Sequence, residues 1–365
     1  MTVRDIANIL EEIAPLGLQE NYDNCGLNLG SFDQEVTGIL CTLDVTHEVL
    51  DEALQKKANL IICHHPLLFS PLISITSENT TGSLIMKAIR HQISVYAQHT
   101  NLDNVPNGVN ARISEKIGLT KTRILLPQPD DLYKLVCYVP LTHFETVQTA
   151  LFEAGAGQIG NYDSCSFSLN GQGTFRALDQ AKPFVGKKGI LHTEPEMRLE
   201  VILPRILKPK IIKAMLSSHP YEEVAYDLIP LANENPAVGA GMIGYLEKEI
   251  SLGEFIRLLK HSFNTGCIRY TGHTNKNINK VAVCGGSGAF LIGQAVKQQV
   301  DAYVTADLKY HQFFEGSERM SLIDIGHYES EQYTKEIFYE SVIKKLPKFA
   351  VHLSEVKTNP INYYN

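Results

Sequence analysis

The sequence predicts an α/β protein made of two related α/β halves, interrupted by a segment of β-α-β-β-α-β order. Three observations carry that prediction. A strand–helix–strand pattern occurs twice, at residues 38–66 and 280–308. Each copy is followed by a short strand running into H-x-x-x-[D/E], "QHTNLD" and "GHYESE". The chain between the copies breaks the pattern and alternates strands and helices in another order.

The N-terminus, MTVRDIANILEEIAPLG, reads as an amphipathic helix, with Thr2 as N-cap and Ile6, Ile9, Leu10 and Ile13 on one stripe. Its acids and short apolar stretch do not fit a signal peptide. "NYDNCGLNLG" (21–30) is rich in turn formers and either lines a pocket, with Tyr22 and Asp23, or simply connects. Then comes the first repeat. Ile39 and Val281 begin the first strands, Val49/Leu291 and Ala53/Ala295 lie on the helices, and Asn59/Asp301 precede the second strands, all at one constant offset. On that register His64 and His65 stand opposite Ala306 and Asp307. His99 with Asp103, and His327 with Glu331, match at a second constant offset.

After the polar link "PQPDD" (127–131) come "LYKLVCYVP" (strand), "LTHFETVQTALFEAGA" (helix), "DSCSFSLNGQGTFRA" (strand with a Gly-containing tail), "RLEVILPRI" (strand), "LKPKIIKAMLSSH" (helix) and "EEVAYDLIPL" (strand). That is the ferredoxin-like order. "ANENPAVGAGMIG" (232–244) reads as the return link. The expected domains are 1–129 plus 232–365, and an insertion at 130–231.

Composition narrows the function. The 365 residues are 44% hydrophobic and 20% charged, with a formal net charge of −7. No basic run is present, so a nucleic-acid partner is not expected. No segment approaches the roughly 20 apolar residues of a membrane span, and the expected location is the cytoplasm. Seven cysteines are scattered singly without C-x-x-C, which argues against a disulfide framework and a zinc ribbon.

The chemistry gathers at the strand ends. "NLIICHHPLLF" (59–69) closes an apolar strand with His64 and His65, and Pro66 follows. Neighbouring strand residues face opposite ways, so the two rings can serve one site only if the strand ends and the backbone turns there. Gly326 stops a later strand, and a helix starting near His327 would set His327 and Glu331 on one face, able to hold a metal or a proton between them. Each feature alone reads as surface polarity. Together, adjacent histidines, repeated strand-end carboxylates and dispersed cysteines favour a His/carboxylate metal site. Such ligands suit Zn, Fe, Mn, Co or Ni, and a bridging carboxylate can join two cations about 3.5–4 Å apart. "CGGSGAF" (284–290), between a strand and a helix, either cradles a phosphate with its N–H groups or forms a tight turn. Cys63, beside His64, reads as a buried strand residue.

"ICHHP", "QHTNLD", "TADLKYH" and "GHYESE", in that order, resemble the Nif-three-like family, also called the GTP cyclohydrolase I type 2-like family. "NYDNCGL" resembles its W-D-N-x-G-L motif, with Tyr22 at the Trp position, and the middle resembles the PII/CutA-like insertion of the longer bacterial members. The resemblance implies a dinuclear metal site with His64, His65, Asp103, His327 and Glu331 as ligands and Glu331 as the bridge. It makes His99, His311 and Asp307 substrate-facing or supporting residues. It implies two divalent ions per subunit, zinc first and iron, manganese, cobalt or nickel as alternatives, and a homohexamer with the sites facing an internal cavity. The expected function is a metal-dependent hydrolase like GTP cyclohydrolase 1 type 2 homologs, in which metal-activated water attacks a nucleotide-like or phosphate-containing substrate. The alternative is a non-enzymatic metal-binding regulator or metallochaperone whose insertion senses a small-molecule effector.

Overall fold

The computed structural model describes residues 1–316 and 320–364. Contacts divide the chain into a split unit, Met1–Pro127 with Pro236–Asn365, and a middle unit, Gln128–Asn235.

The first segment begins with helix α1 (Val3–Glu11), and Thr2 and Asp5 form a reciprocal capping box at its start. Strands β1 (Gly26–Leu29) and β2 (Ile39–Thr42), helix α2 (His47–Gln55), strand β3 (Leu60–Cys63), helix α3 (Thr80–Arg90) and strand β4 (Ser94–Ala97) follow. The segment ends with the short α4 (Thr100–Asp103), α5 (Val109–Lys116) and β5 (Leu119–Gln128). Strands β2, β3 and β4 run parallel and are buried along their whole length, as continuous apolar runs in a helix-covered sheet should be. Leu40, Ile61, Val49, Leu84 and Val95 share their core.

In the middle unit the order is β6 (Leu132–Pro140), α6 (Phe144–Glu153), β7 (Ser166–Arg176), β8 (Leu191–Pro204), α7 (Lys208–Ser218) and β9 (Tyr226–Pro230). The strands form an antiparallel sheet in the order β7-β8-β6-β9. Val147, Leu151, Ile211 and Met215 of the helices pack onto Leu135, Cys137, Leu199 and Val201. Helices therefore cover one face of this sheet.

The last segment holds β10 (Asn235–Ser251), α8 (Leu252–Ser262), β11 (Arg269–Tyr270), β12 (Asn277–Ser287), α9 (Ile292–Lys297), β13 (Ala302–Ala306), β14 (Ser321–Asp324), α10 (His327–Glu331), α11 (Thr334–Lys345) and β15 (Val351–Leu353). Two sheets result, β1-β4-β3-β2-β15 and β11-β14-β13-β12-β10-β5. In both, three parallel strands carry a short antiparallel strand on the same flank, β1 on β4 and β11 on β14. The constant offset in the sequence is thus matched by equivalent sheet positions. Each segment also lends the other an edge: β15 pairs with Ile39–Cys41, and β5 lies beside β10.

Two expectations are corrected. Residues 232–244 are not only a link, because β10 pairs with β12 through Met242↔Val283 and Ile243↔Ala282. Burial of Met242 and Ile243 outweighs the Gly/Ala-rich local signal. Likewise, 21–30 is not all turn, since Gly26–Leu29 joins the edge of β4.

Candidate metal centre

Strand β3 stops at Cys63, and the amides of His64 and His65 both donate to the carbonyl of Leu43, at 3.1 and 3.0 Å. Two successive amides pointing at one oxygen mean the pleat has ended. This is the backbone turn that two adjacent histidines need to serve one site. Their ring centroids stand 5.1 Å apart. β4 ends next, and α4 carries Asp103 one turn beyond His99. From the other half, Gly326 (φ 94°) breaks the chain after β14, and α10 sets His327 and Glu331 on one face.

The five sequence-predicted ligands come together. Glu331 is buried, and its Oε1 lies 3.7 Å from His64 Nε2. Its Oε2 lies 3.0 Å from His65 Nε2 and 3.1 Å from His327 Nε2. Asp103 Oδ1 is 3.7 Å from His64 Nε2. The two Nε2 atoms of His65 and His327 face each other at 3.3 Å.

Each imidazole is aimed by an acceptor at its far nitrogen. His64 Nδ1 bonds the carbonyl of Gln98 at 2.8 Å, and His65 Nδ1 bonds Asp44 at 2.6 Å. His99 Nδ1 bonds Asp23 at 2.9 Å, and His327 Nδ1 bonds Asp307 at 2.6 Å. With Nδ1 donating, each ring in its neutral form offers a lone pair at Nε2. This is how proteins orient metal-binding histidines.

The electrostatics call for a cation. Burial opposes a charge on His65, yet its hydrogen bonds to the Asp44 and Glu331 carboxylates outweigh it and push the ring up to about 9. Burial likewise opposes charge on His327, but Asp307 and Glu331 push it up to about 11. Burial also works against the Glu331 carboxylate, but His327, His64 and His65 hold it well below the usual carboxylate range. Asp103 is pushed up, chiefly by burial. Among the described residues, His64 Nε2 and Asp103 Oδ1 are buried and have no hydrogen-bond partner. Orphaned lone pairs on two buried ligand types are costly unless something positive lies between them. Two groups have donor atoms close enough to hold a metal ion, His64/His65/His99 and His65/His327/Glu331. The residues therefore fit a divalent cation.

The supporting residues divide. Asp23 accepts from His99, from the Thr100 amide at 3.0 Å and from its hydroxyl at 2.5 Å. It serves as a brace for His99. Tyr22 is 67% exposed, and its hydroxyl is pushed up by partial burial and by nearby Glu20, Asp23 and Asp103. Asp307, at a φ of 57°, braces His327. His311 is exposed, its ring against Tyr310, with no hydrogen bond or ion pair to the cluster among the described residues. Cys63 is fully buried.

Asp44 escaped the sequence reading. It lies two residues after β2, at the end of the sheet where β3 delivers His65, so a carboxylate just past a neighbouring parallel strand was the available signal. The "CGGSG" segment proves to be the end of β12, which runs to Ser287 before Gly288 leads toward the next helix. The amides of Gly285, Gly286 and Gly288 donate to Asn110, Ser330 and Thr305, leaving none of the three for a phosphate. Gly286 has a φ of 57°, and a Cβ there would overlap Glu331 Oε1. Glycine makes the room that the carboxylate occupies.

Comparison with known proteins places this geometry. The family profile described as Duf34/NIF3 (NGG1p interacting factor 3) matches residues 1–360. A Bacillus subtilis protein named GTP cyclohydrolase 1 type 2 homolog is 39% identical, covering 99% of this chain and 98% of its own. A Halalkalibacterium halodurans protein of the same name is 38% identical, with 98% of both covered. The crystal structure of a Bacillus cereus protein related to NIF3 superposes with a TM-score of 0.87 at 39% identity, covering 100% of this chain and 99% of that one.

Proposed function

The chain belongs to the Duf34/NIF3 family, and from that premise we propose that it is a dinuclear-metal hydrolase acting on a nucleotide-like or phosphate-containing substrate. The observation that carries the reading is the placement of Glu331, with one carboxylate oxygen toward His64, whose Nε2 also lies 3.7 Å from Asp103, and the other toward His65 and His327. One ion would be held by His64, Asp103 and Glu331, and the second by His65, His327 and Glu331. Imidazole and carboxylate donors favour zinc, with iron, manganese, cobalt or nickel as alternatives. When bound, such a pair supplies Lewis acidity and a water acidified toward neutrality.

The chain's own residues do the rest. Asp44, Asp307 and the Gln98 carbonyl fix three imidazoles before any ligand arrives. Asp23 holds the His99 ring edge-on to His64 and His65, with centroids 5.1 and 5.4 Å away. His99 Nε2 could thus pass a proton to or from a group bound beside them. The relatives' name suggests GTP as a substrate to try. The βαββαβ order and sheet order of the middle unit support a ferredoxin-like, PII/CutA-like insertion. A homohexamer and a cytoplasmic location complete the proposal. Among the described residues, no helix is long and apolar enough to cross a membrane.

Elemental analysis of protein purified without chelator, beside turnover of a nucleotide panel with each metal, tests the reading. Two ions per chain are expected, with nucleotide hydrolysis that His65→Ala abolishes. Stoichiometric metal without turnover of any panel member would remove the hydrolase assignment.

A further inference from the structure

The middle unit contains a cleft of about 1010 Å³, lined entirely by residues between Tyr138 and Ala225. It is far larger than a packing defect and lies in the usual size range of small-molecule sites. Two rings in its wall flank Tyr221: Phe175 at 6.2 Å and Phe184 at 6.3 Å between centroids. Tyr221 is itself fixed, because its amide donates to His219 Nδ1 and its ring packs on that imidazole at 5.0 Å.

Beside these rings lies one buried carboxylate. Glu196 is 8% exposed and accepts a 2.8 Å hydrogen bond from the Tyr221 hydroxyl through Oε1. Oε2 lies over Gly173, where any Cβ would overlap it. Glycine within a strand often marks such a close approach. The "NGQG" tail of β7 thus makes room for the carboxylate against the sheet. Among the described residues Glu196 forms no ion pair. Arg198 on the same wall is already paired with Glu200 at 2.9 Å. Aromatic rings sharing a cleft with a nearly buried carboxylate that forms no ion pair among the described residues, beside Arg176 and the Glu200-paired Arg198, select by cation–π attraction and charge-assisted hydrogen bonding.

We propose that this cleft is a binding site for a flat, aromatic organic cation carrying N–H donors, with Glu196 as its anchor and Phe175, Phe184 and Tyr221 as its walls. The site lies wholly within the middle unit and does not depend on the metal centre.

Proflavine, a planar cation with amino donors, is a suitable probe. Fluorescence titration of the full chain, freed of nucleic acid, should show one saturable site per chain. Glu196→Gln keeps the shape and the bond to Tyr221 but removes the charge, and should weaken binding about tenfold or more. Phe184→Ala, at a half-exposed ring whose loss leaves the core intact, should weaken it by about threefold. The anionic dye anilinonaphthalene sulfonate should bind at least about tenfold more weakly than proflavine. Far-UV circular dichroism and metal content of the same samples should not change, which separates this site from the metal reading. No saturable binding, or the same affinity in Phe184→Ala and Glu196→Gln as in the parent, would overturn the proposal. So would dye binding that falls as protein concentration rises, since the cleft would then be an interface between copies of the chain.

Discussion

In the first sheet the parallel strands β2, β3 and β4 lead into Asp44, the His64–His65 pair and His99. In the second, the equivalent β12 carries Gly285–Gly286 near its end, while β13 and β14 lead into Asp307 and His327. One scaffold has taken on two roles. The first half supplies three imidazoles from two strand ends. The second supplies His327 and the Glu331 carboxylate that His64, His65 and His327 face, and glycines where the first half has a side chain. A repeated sheet fixes where the strand ends meet, but it does not make the site symmetric. Asymmetry is what a shared carboxylate between unlike sets of ligands requires.

The comparison breaks most severely at Glu331. Glu331→Ala removes the group facing all three of His64, His65 and His327, and bound metal should fall below about a tenth of the parent value by elemental analysis. Retained metal would show that the first half binds without the second. His64→Ala and His327→Ala sharpen the contrast, because each removes a ligand on one side of Glu331. Each should lower the content by about half, with the other ion kept.

The braces come next. Asp44→Asn and Asp307→Asn should weaken metal binding by about 10- to 100-fold in a chelator competition. Asp44 should be the more severe, because its side chain is 32% exposed against 46% for Asp307, and Thr358 also bonds it. Equal effects would mean the two halves brace their histidines alike. The smallest effects belong to glycines. Gly286→Ala must displace Glu331 and adopt an unfavourable backbone, costing about 1–3 kcal/mol in urea unfolding. In α9, a Cβ at Gly293 meets nothing within 4 Å, so Gly293→Ala should stabilise by about 0.5–1 kcal/mol.

The parallel core was legible because Leu60–Cys63 is an unbroken apolar run and Ala302–Ala306 departs from one at Thr305, each bounded by polar residues. The cluster was legible because its histidines and carboxylates follow strand ends closely in short motifs. The braces were not. Asp44 bonds a residue twenty-one positions away across a parallel pair, and nothing local in "CTLDVT" distinguishes it from any turn aspartate. The edges were also hidden. Gly26–Leu29 and the start of β10 lack strong strand propensity and owe their conformation to the neighbours they pair with. Asp23 was noticed as a pocket residue, and only its bonds to His99 and Thr100 reveal it as a brace.

The exchanged edge strands bear on how the chain reaches this state. Val351–Leu353 completes the sheet begun at Ile39, and the carboxylate of Glu52 in α2 secures that closing segment through the Ser354 hydroxyl and the Glu355 amide. On the ribosome the first half must therefore wait, its β2 edge unpaired, while the middle unit and the second half are made. Such an edge invites pairing with other chains during synthesis. The strand that removes the hazard, β15, follows every other strand of this sheet in the chain, so the β2 edge closes only after the second half has been made.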